Sequence, residues 1–154
     1  MKNTPLQMKS AARFYVVQAL FQMEAINQDL NEIKEEFENF RIGAELDGIK
    51  YNDADKKYFR KILDVAVKNQ SQIDRLTDQA LVKKWPISKI DPTIRALFRG
   101  GVAELLLEKT PKNVVINEFV DIAKAFFPEG KETKFVNAIL DLSLIHISEP
   151  TRPY

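Results

Sequence analysis

The stretch Asp91-Pro92-Thr93-Ile94-Arg95-Ala96-Leu97-Phe98-Arg99-Gly100-Gly101-Val102-Ala103-Glu104-Leu105-Leu106 decides the fold class. It opens with a short acidic side chain followed by proline. Such a pair caps a helix and fills its first position, where proline's missing N–H costs nothing. Ile94, Leu97, Phe98, Val102, Leu105 and Leu106 then recur at three- and four-residue spacing and wrap most of the helix. A helix apolar on this much of its circumference belongs at the centre of a fold. The Gly100-Gly101 pair inside it marks a close helix–helix contact rather than a phosphate loop.

Helical spacing continues on both sides. Thr110-Pro111 repeats the start signal, and Val115, Ile116, Phe119, Ile122, Ala123 and Phe126 line the helix it opens. Pro128-Glu129-Gly130 stops that helix, and Phe135, Val136, Ile139 and Leu140 mark a last one. Upstream, Phe14, Val17, Leu20 and Phe21 share a face of a helix expected over about Lys9 to Ala25. Leu30, Ile33, Phe37 and then Phe40 or Arg41 follow on successive turns after Asp29, up to Gly43. Asn52 or Asp53 is the expected cap of a third helix carrying Phe59, Ile62, Leu63 and Ala66. Ser71 with Asp74 reads as a capping box for a helix ended by Pro86. No alternating strand pattern is seen, and Gly43 to Asn52 reads as a loop. The expectation is an all-α fold of about seven helices in two packed subdomains, about 9–69 and 71–141.

Composition narrows the function. The 154 residues suit one domain, and 15 aromatics, ten of them Phe, can fill its core. A net charge of +1 rules out a uniformly basic nucleic-acid coat. The charge is uneven: residues 1–23 carry +3, 24–55 carry −7 and 56–154 carry +5. Cysteine is absent and His146 is the single histidine, so thiolate metal sites, His-rich metal sites and cysteine nucleophiles are excluded. No Gly-rich phosphate loop, nucleophile elbow or zinc-protease motif occurs. The acidic run Glu32, Glu35, Glu36 and Glu38 reads as a solvated face. No apolar run is long enough to span a bilayer and no signal peptide is recognised, so a cytoplasmic protein without cofactor or metal is expected.

Two places suit binding. Lys2, Lys9 and Arg13 stand near Tyr15, Gln18 and Phe21, combining cations for phosphates with aromatic faces for unpaired bases. Lys131, Lys134 and Phe135 stand at the start of the last helix, where free backbone N–H groups favour anions. The competing reading makes Phe21 and Phe135 core residues and the lysines solubilising. A third cluster, Lys56, Lys57, Arg60 and Lys61, reads as a solvated helix face.

From Ala11 to about Asp141 the chain resembles the NusB family of transcription antitermination factors, in its alphaproteobacterial form. The resemblance rests on Ala12-Arg13 with Val17-Gln18-Ala19-Leu20-Phe21-Gln22, and on Trp85-Pro86 with Ile90-Asp91. It continues through Arg95-Ala96-Leu97-Phe98-Arg99 and Val114-Val115-Ile116-Asn117-Glu118, and ends with Phe135-Val136-Asn137-Ala138-Ile139-Leu140-Asp141. It implies a non-enzymatic factor of ribosomal RNA operons that binds boxA-type single-stranded RNA as a heterodimer with NusE, a small-subunit ribosomal protein, within the RNA polymerase antitermination complex. By position it implies RNA contacts at Lys9, Arg13, Gln18, Phe21, Lys134 and Phe135. Arg95, Arg99 and Asn117-Glu118 match family motifs yet suit structural pairing. Many relatives carry an arginine run where this chain has Met8-Lys9-Ser10-Ala11, which implies weaker, less salt-sensitive RNA binding and more reliance on the partner. Two alternatives stay open: a helical adaptor with little RNA binding, and the N-terminal domain of a truncated ribosomal RNA methyltransferase.

The end of the chain stands apart. Leu142 to Arg152 resembles, residue for residue, a translated transposon-end sequencing adapter. Residues 142–154 are therefore expected to be a non-native tail that breaks the helical pattern.

Overall fold

The computed structural model describes residues 4–81, 90–128 and 130–148. Among them are seven α-helices: α1 Pro5–Ile26, α2 Leu30–Glu36, α3 Lys56–Lys68, α4 Gln70–Ala80, α5 Pro92–Leu107, α6 Lys112–Phe126 and α7 Lys131–Ser148. The fold is all-α, as its residue spacing predicts.

Helix α5 is the axis. It packs against α1, α3, α4, α6 and α7, and Leu97, Phe98, Val102 and Ala103 within it are at most 0% exposed. Asp91 caps it as expected, its carboxylate accepting the Thr93 N–H at 2.7 Å. Gly100 and Gly101 are where neighbours come closest. A Cβ on Gly100 would lie 3.1 Å from the Phe119 ring and 3.2 Å from Val16, and one on Gly101 only 2.9 Å from Leu140. The pair is thus a packing device that lets α1, α6 and α7 reach the α5 backbone.

Several helix boundaries differ from the sequence reading. Helix α1 starts at Pro5 rather than near Lys9, because Thr4 and Gln7 form a reciprocal capping box. Asp55, not Asn52 or Asp53, caps α3 by accepting from the Tyr58 N–H. Helix α4 starts at Gln70 without a side-chain cap; Asp74 is drawn to Arg99 instead of serving a capping box. Thr110 does not cap α6, whose cap residue is Pro111; its hydroxyl turns to Tyr58. The expected stop at Pro86, and Trp85, lie outside the described residues.

The second helix changes pitch. After Glu36 the backbone widens into a π-helical turn, Phe37–Arg41, closed by the Ile42 N–H donating to the Phe37 carbonyl at 2.8 Å. The wider turn places Arg41 over the Phe37 ring, 4.9 Å from its centroid, and leaves Phe40 66% exposed. Between Gly43 and Asn52 the expected loop contains a small antiparallel hairpin: β1, Glu45–Leu46, pairs with β2, Ile49–Lys50. Asp47 and Gly48 both have positive φ, 53° and 77°, as a two-residue hairpin turn of the Asp-Gly kind requires.

Helix α7 continues through Ser148, so the expected break near residue 142 is absent. The reason is spacing. Leu140, Leu144 and Ile147 recur at helical intervals and face the core, and the tail's prolines come only at 150 and 153. Ser143 is fully buried in this stretch, and its hydroxyl finds no hydrogen-bond partner among the described residues.

Candidate nucleic-acid interface

Helix α1 carries four of the six expected contact residues, but not on one face. At ~100° per residue, Lys9 and Arg13 point one way, and Phe14, Gln18 and Phe21 point roughly 100–160° around the axis. The two groups have different fates.

On the first face, Arg13 is 3% exposed. Its Nε and Nη2 donate to the two oxygens of Glu104 at 2.6 and 2.9 Å, and Nη1 donates to Glu118 at 2.9 Å. Ser10 adds a hydroxyl bond to the same Glu118 oxygen at 2.6 Å. Glu104 is fully buried and also accepts from the Tyr58 hydroxyl. Because that proton goes to Glu104, Thr110 donates to the Tyr58 oxygen, at 2.8 Å. One network therefore ties α1, α3, α5 and α6. Burial alone would lower the Arg13 pKa, but Glu104 and Glu118 outweigh it and the guanidinium is held above its ordinary value. Burial, then the bond to Glu104, pushes the Tyr58 phenol up to about 12. Arg13, expected at the RNA surface, thus has its fork bonded to carboxylates within the fold. Lys9, one turn earlier, is half-buried with its ammonium 5.1 Å over the Tyr58 ring. Lys2 lies outside the described residues.

A second network fixes the other end of α1. Arg95 and Arg99 both bind Glu24, and Arg99 also reaches Asp74 at 3.0 Å. The Arg95 bond is the main reason the Glu24 carboxyl sits below its ordinary pKa. These family-matching arginines are structural.

On the second face of α1, aromatic surface is open. Phe21 is 41% exposed. Phe14 stacks on Phe126 of α6, with centroids 5.5 Å apart and planes within 4°. Phe126, expected in the core, is partly exposed here. Two clefts run along this face and share Gln18 and Arg41. One, of about 340 Å³, lies beside Phe21, Phe126 and Thr93. The other, of about 570 Å³, lies between Phe14 and the hairpin side chains Leu46, Tyr51 and Asn52. Phe126 also leads the chain, in five residues, to Lys131 at the start of α7. There Lys134 is exposed and Phe135 is half-buried, its ring edge-on to Phe98 at 5.8 Å.

The face thus gathers Gln18 and Phe21 and, through Phe126, leads to the segment bearing Lys134 and Phe135. It separates them from Lys9 and Arg13. Sequence reasoning missed Arg41, Tyr51 and Asn52 as site residues: it read Arg41 as part of the second helix, Tyr51 as loop and Asn52 as a possible cap of the third helix; the Asp47-Gly48 pair flanked by Leu46 and Ile49 is the hairpin signal that places Tyr51 and Asn52. Lys56, Lys57, Arg60 and Lys61 are exposed along α3, as expected of a solvated face. No group of acidic or histidine side chains suited to holding a metal occurs among the described residues, and no helix there is long and apolar enough to cross a membrane.

An all-α domain whose open face offers aromatic rings, amides and cations has the make-up of a binding protein. The NusB family profile matches residues 10–144. The transcription antitermination protein NusB of Mesorhizobium japonicum is 48% identical over 134 residues, covering 86% of each chain, and that of Brucella abortus is 46% identical, covering 86% of this chain and 78% of the relative. Among solved structures, T. maritima NusB is similar with a TM-score of 0.72 and 33% identity, covering 94% of this chain and 93% of that one. A structure of the antitermination factors NusB and NusE with dsRNA is similar with a TM-score of 0.71 and 28% identity, covering 89% and 96%. The chain belongs to the NusB family.

Proposed function

We propose that this protein is a cytoplasmic, non-enzymatic antitermination factor of ribosomal RNA operons that binds boxA-type single-stranded RNA together with NusE and delivers it to the RNA polymerase complex. The observation that carries this reading is the likeness, over 96% of its length, to the chain in the NusB–NusE–dsRNA structure, coupled with the open aromatic face of α1. In this reading Phe21 and Phe135 offer rings to bases, Gln18 offers its amide to a base edge and Lys134 meets a phosphate, while Lys9, on the neighbouring face of α1, leaves the Tyr58 ring to meet a phosphate where the strand passes round the helix. Arg13 keeps α1 seated from behind. The dsRNA in the similar structure makes strand number a point to test, and base stacking on open rings favours the single strand.

The test is fluorescence anisotropy of a labelled boxA-type RNA across a salt series, with and without NusE. Binding should be tight only with NusE. Two lysines facing phosphates set a shallow slope for this chain's own contribution, about −0.7 per phosphate and so roughly −1.4 in all. Phe21→Ala should weaken binding by about 5- to 150-fold, in line with the ~1–3 kcal/mol that stacking contributes per base. An unlabelled duplex should compete poorly. NusE binding with no gain in RNA affinity would identify a helical adaptor instead.

A further inference from the structure

We infer that the cleft between α1 and the β1–β2 hairpin is a pocket for one unpaired nucleotide of the bound RNA, with Tyr51 as its stacking platform and Asn52 as its base-reading group. The inference rests on the RNA reading above and extends it to Tyr51, Asn52 and Arg41, to which the resemblance assigns no RNA contact. Three observations carry it.

The cleft is sized for a small ligand: about 570 Å³, within the ~300–1,000 Å³ typical of small-molecule sites. Its lining is chemically mixed in the way base recognition needs. Tyr51 is 45% exposed, and Gln18 and Asn52 each carry an amide that can both donate and accept. Arg41 lies at the junction with the neighbouring cleft beside Phe21; its Nη2 donates to Gln22 and Glu36 at 2.9 and 3.0 Å, which fixes the guanidinium in place, and its side chain is 42% exposed. A cation there suits the phosphate joining a nucleotide in one cleft to a nucleotide in the other.

The platform is also held in place before any ligand arrives. The Tyr15 hydroxyl donates to the Asn52 carbonyl at 2.7 Å, and the Gly43 N–H donates to the same oxygen at 3.1 Å. The Tyr51 N–H donates to the Ala44 carbonyl at 2.7 Å. Beyond these bonds the ladder continues into Glu45 paired with Lys50. Both ends of the loop are therefore zipped together, and Tyr15 is itself wedged edge-on against Phe37 at 6.3 Å. A site built this way loses little further freedom on binding. The Tyr51 and Asn52 side chains are left at the cleft, with the Tyr51 N–H and the Asn52 carbonyl bonded elsewhere.

The experiment uses the full chain with NusE and boxA-type RNAs carrying 2-aminopurine at one position at a time. One position should show a fluorescence change on binding that is lost in Tyr51→Ala and kept in Tyr51→Phe. Tyr51→Ala should weaken RNA binding about tenfold, as expected for one stacked base, with melting temperature and NusE affinity unchanged. Asn52→Ala should relax discrimination at that same position only. If Tyr51→Ala binds RNA like the parent while Lys134→Ala is weakened, the pocket is refuted and the RNA reading stands. If Tyr51→Ala lowers NusE affinity, the hairpin is a protein contact and the pocket is likewise refuted. If the parent with NusE binds no RNA, the RNA reading fails and the pocket fails with it.

Discussion

Removing the Arg13 guanidinium separates a supporting role from a contact role more cleanly than any other single change. Arg13→Ala deletes three charge-assisted bonds of 2.6–2.9 Å. Glu104, fully buried, is then left with only the Tyr58 hydroxyl facing its charge. Stranding one partner of a buried pair costs about 3–5 kcal/mol. Against a total stability of roughly 5–15 kcal/mol, that is a large fraction. At about 2–4 °C per kcal/mol for a chain of this size, the melting temperature should fall by about 6–20 °C. Replacing both partners, Arg13→Met with Glu104→Leu, should recover most of the loss, since no charge remains stranded; Glu118, 26% exposed, can turn to water. The assay is urea unfolding followed by circular dichroism for the two single variants and the double. RNA affinity is measured alongside, well below the transition, where Arg13→Ala should cost no more than about threefold, under ~0.7 kcal/mol. A stability loss below about 1 kcal/mol with an RNA loss of tenfold or more would refute the reasoning and restore Arg13 as a direct contact.

Other outcomes follow from the same geometry. Gly101→Ala should destabilise by about 1 kcal/mol net in denaturant unfolding, because ~1–3 kcal/mol of overpacking against Leu140, 2.9 Å away, exceeds the ~1 kcal/mol gained in helix propensity. Because the Tyr58 phenol is raised to about 12, its neutral form stabilises the fold below pH 10, and this is lost as pH climbs from 10 through 12. The full effect is about 2–3 kcal/mol, so the stability gap between the parent and Tyr58→Phe should narrow between pH 9 and pH 11.5. Glu24, lowered chiefly by its bond to Arg95, contributes above its ordinary pKa and loses that contribution as pH falls through its depressed value. Glu24→Gln should therefore cost about 1 kcal/mol at pH 7, limited by solvent screening at 31% exposure, and less as the pH falls through the depressed value. Ser143→Ala should raise stability by about 1 kcal/mol, since it removes a buried hydroxyl that has no partner among the described residues and adds helix propensity; an unchanged melting temperature would contradict that.

The helices and their order were legible in the sequence because helical spacing is a local property. Asp91-Pro92, the apolar wrap of α5 and the Gly100-Gly101 contact were each readable within a few turns, and they hold in three dimensions. Helix edges were less so. Asp74 and Thr110 had local partners available as caps, but Arg99 and Tyr58, distant in sequence, offered better bonds. The roles of side chains on α1 depended wholly on tertiary contacts. Arg13 and Lys9 look alike as isolated cations, yet two carboxylates, from α5 and α6, claim the first and leave the second over a ring. The pitch change at Phe37–Arg41 and the hairpin beyond it, which together shape the larger cleft, likewise exist only where packing holds them. The sequence by itself determined which segments coil, which stripe each one buries and which family it resembles, because these follow from spacing along the chain. Tertiary structure alone decided which charges are consumed within the fold and which aromatic faces stay open, because burial and pairing are set by neighbours that sequence distance conceals.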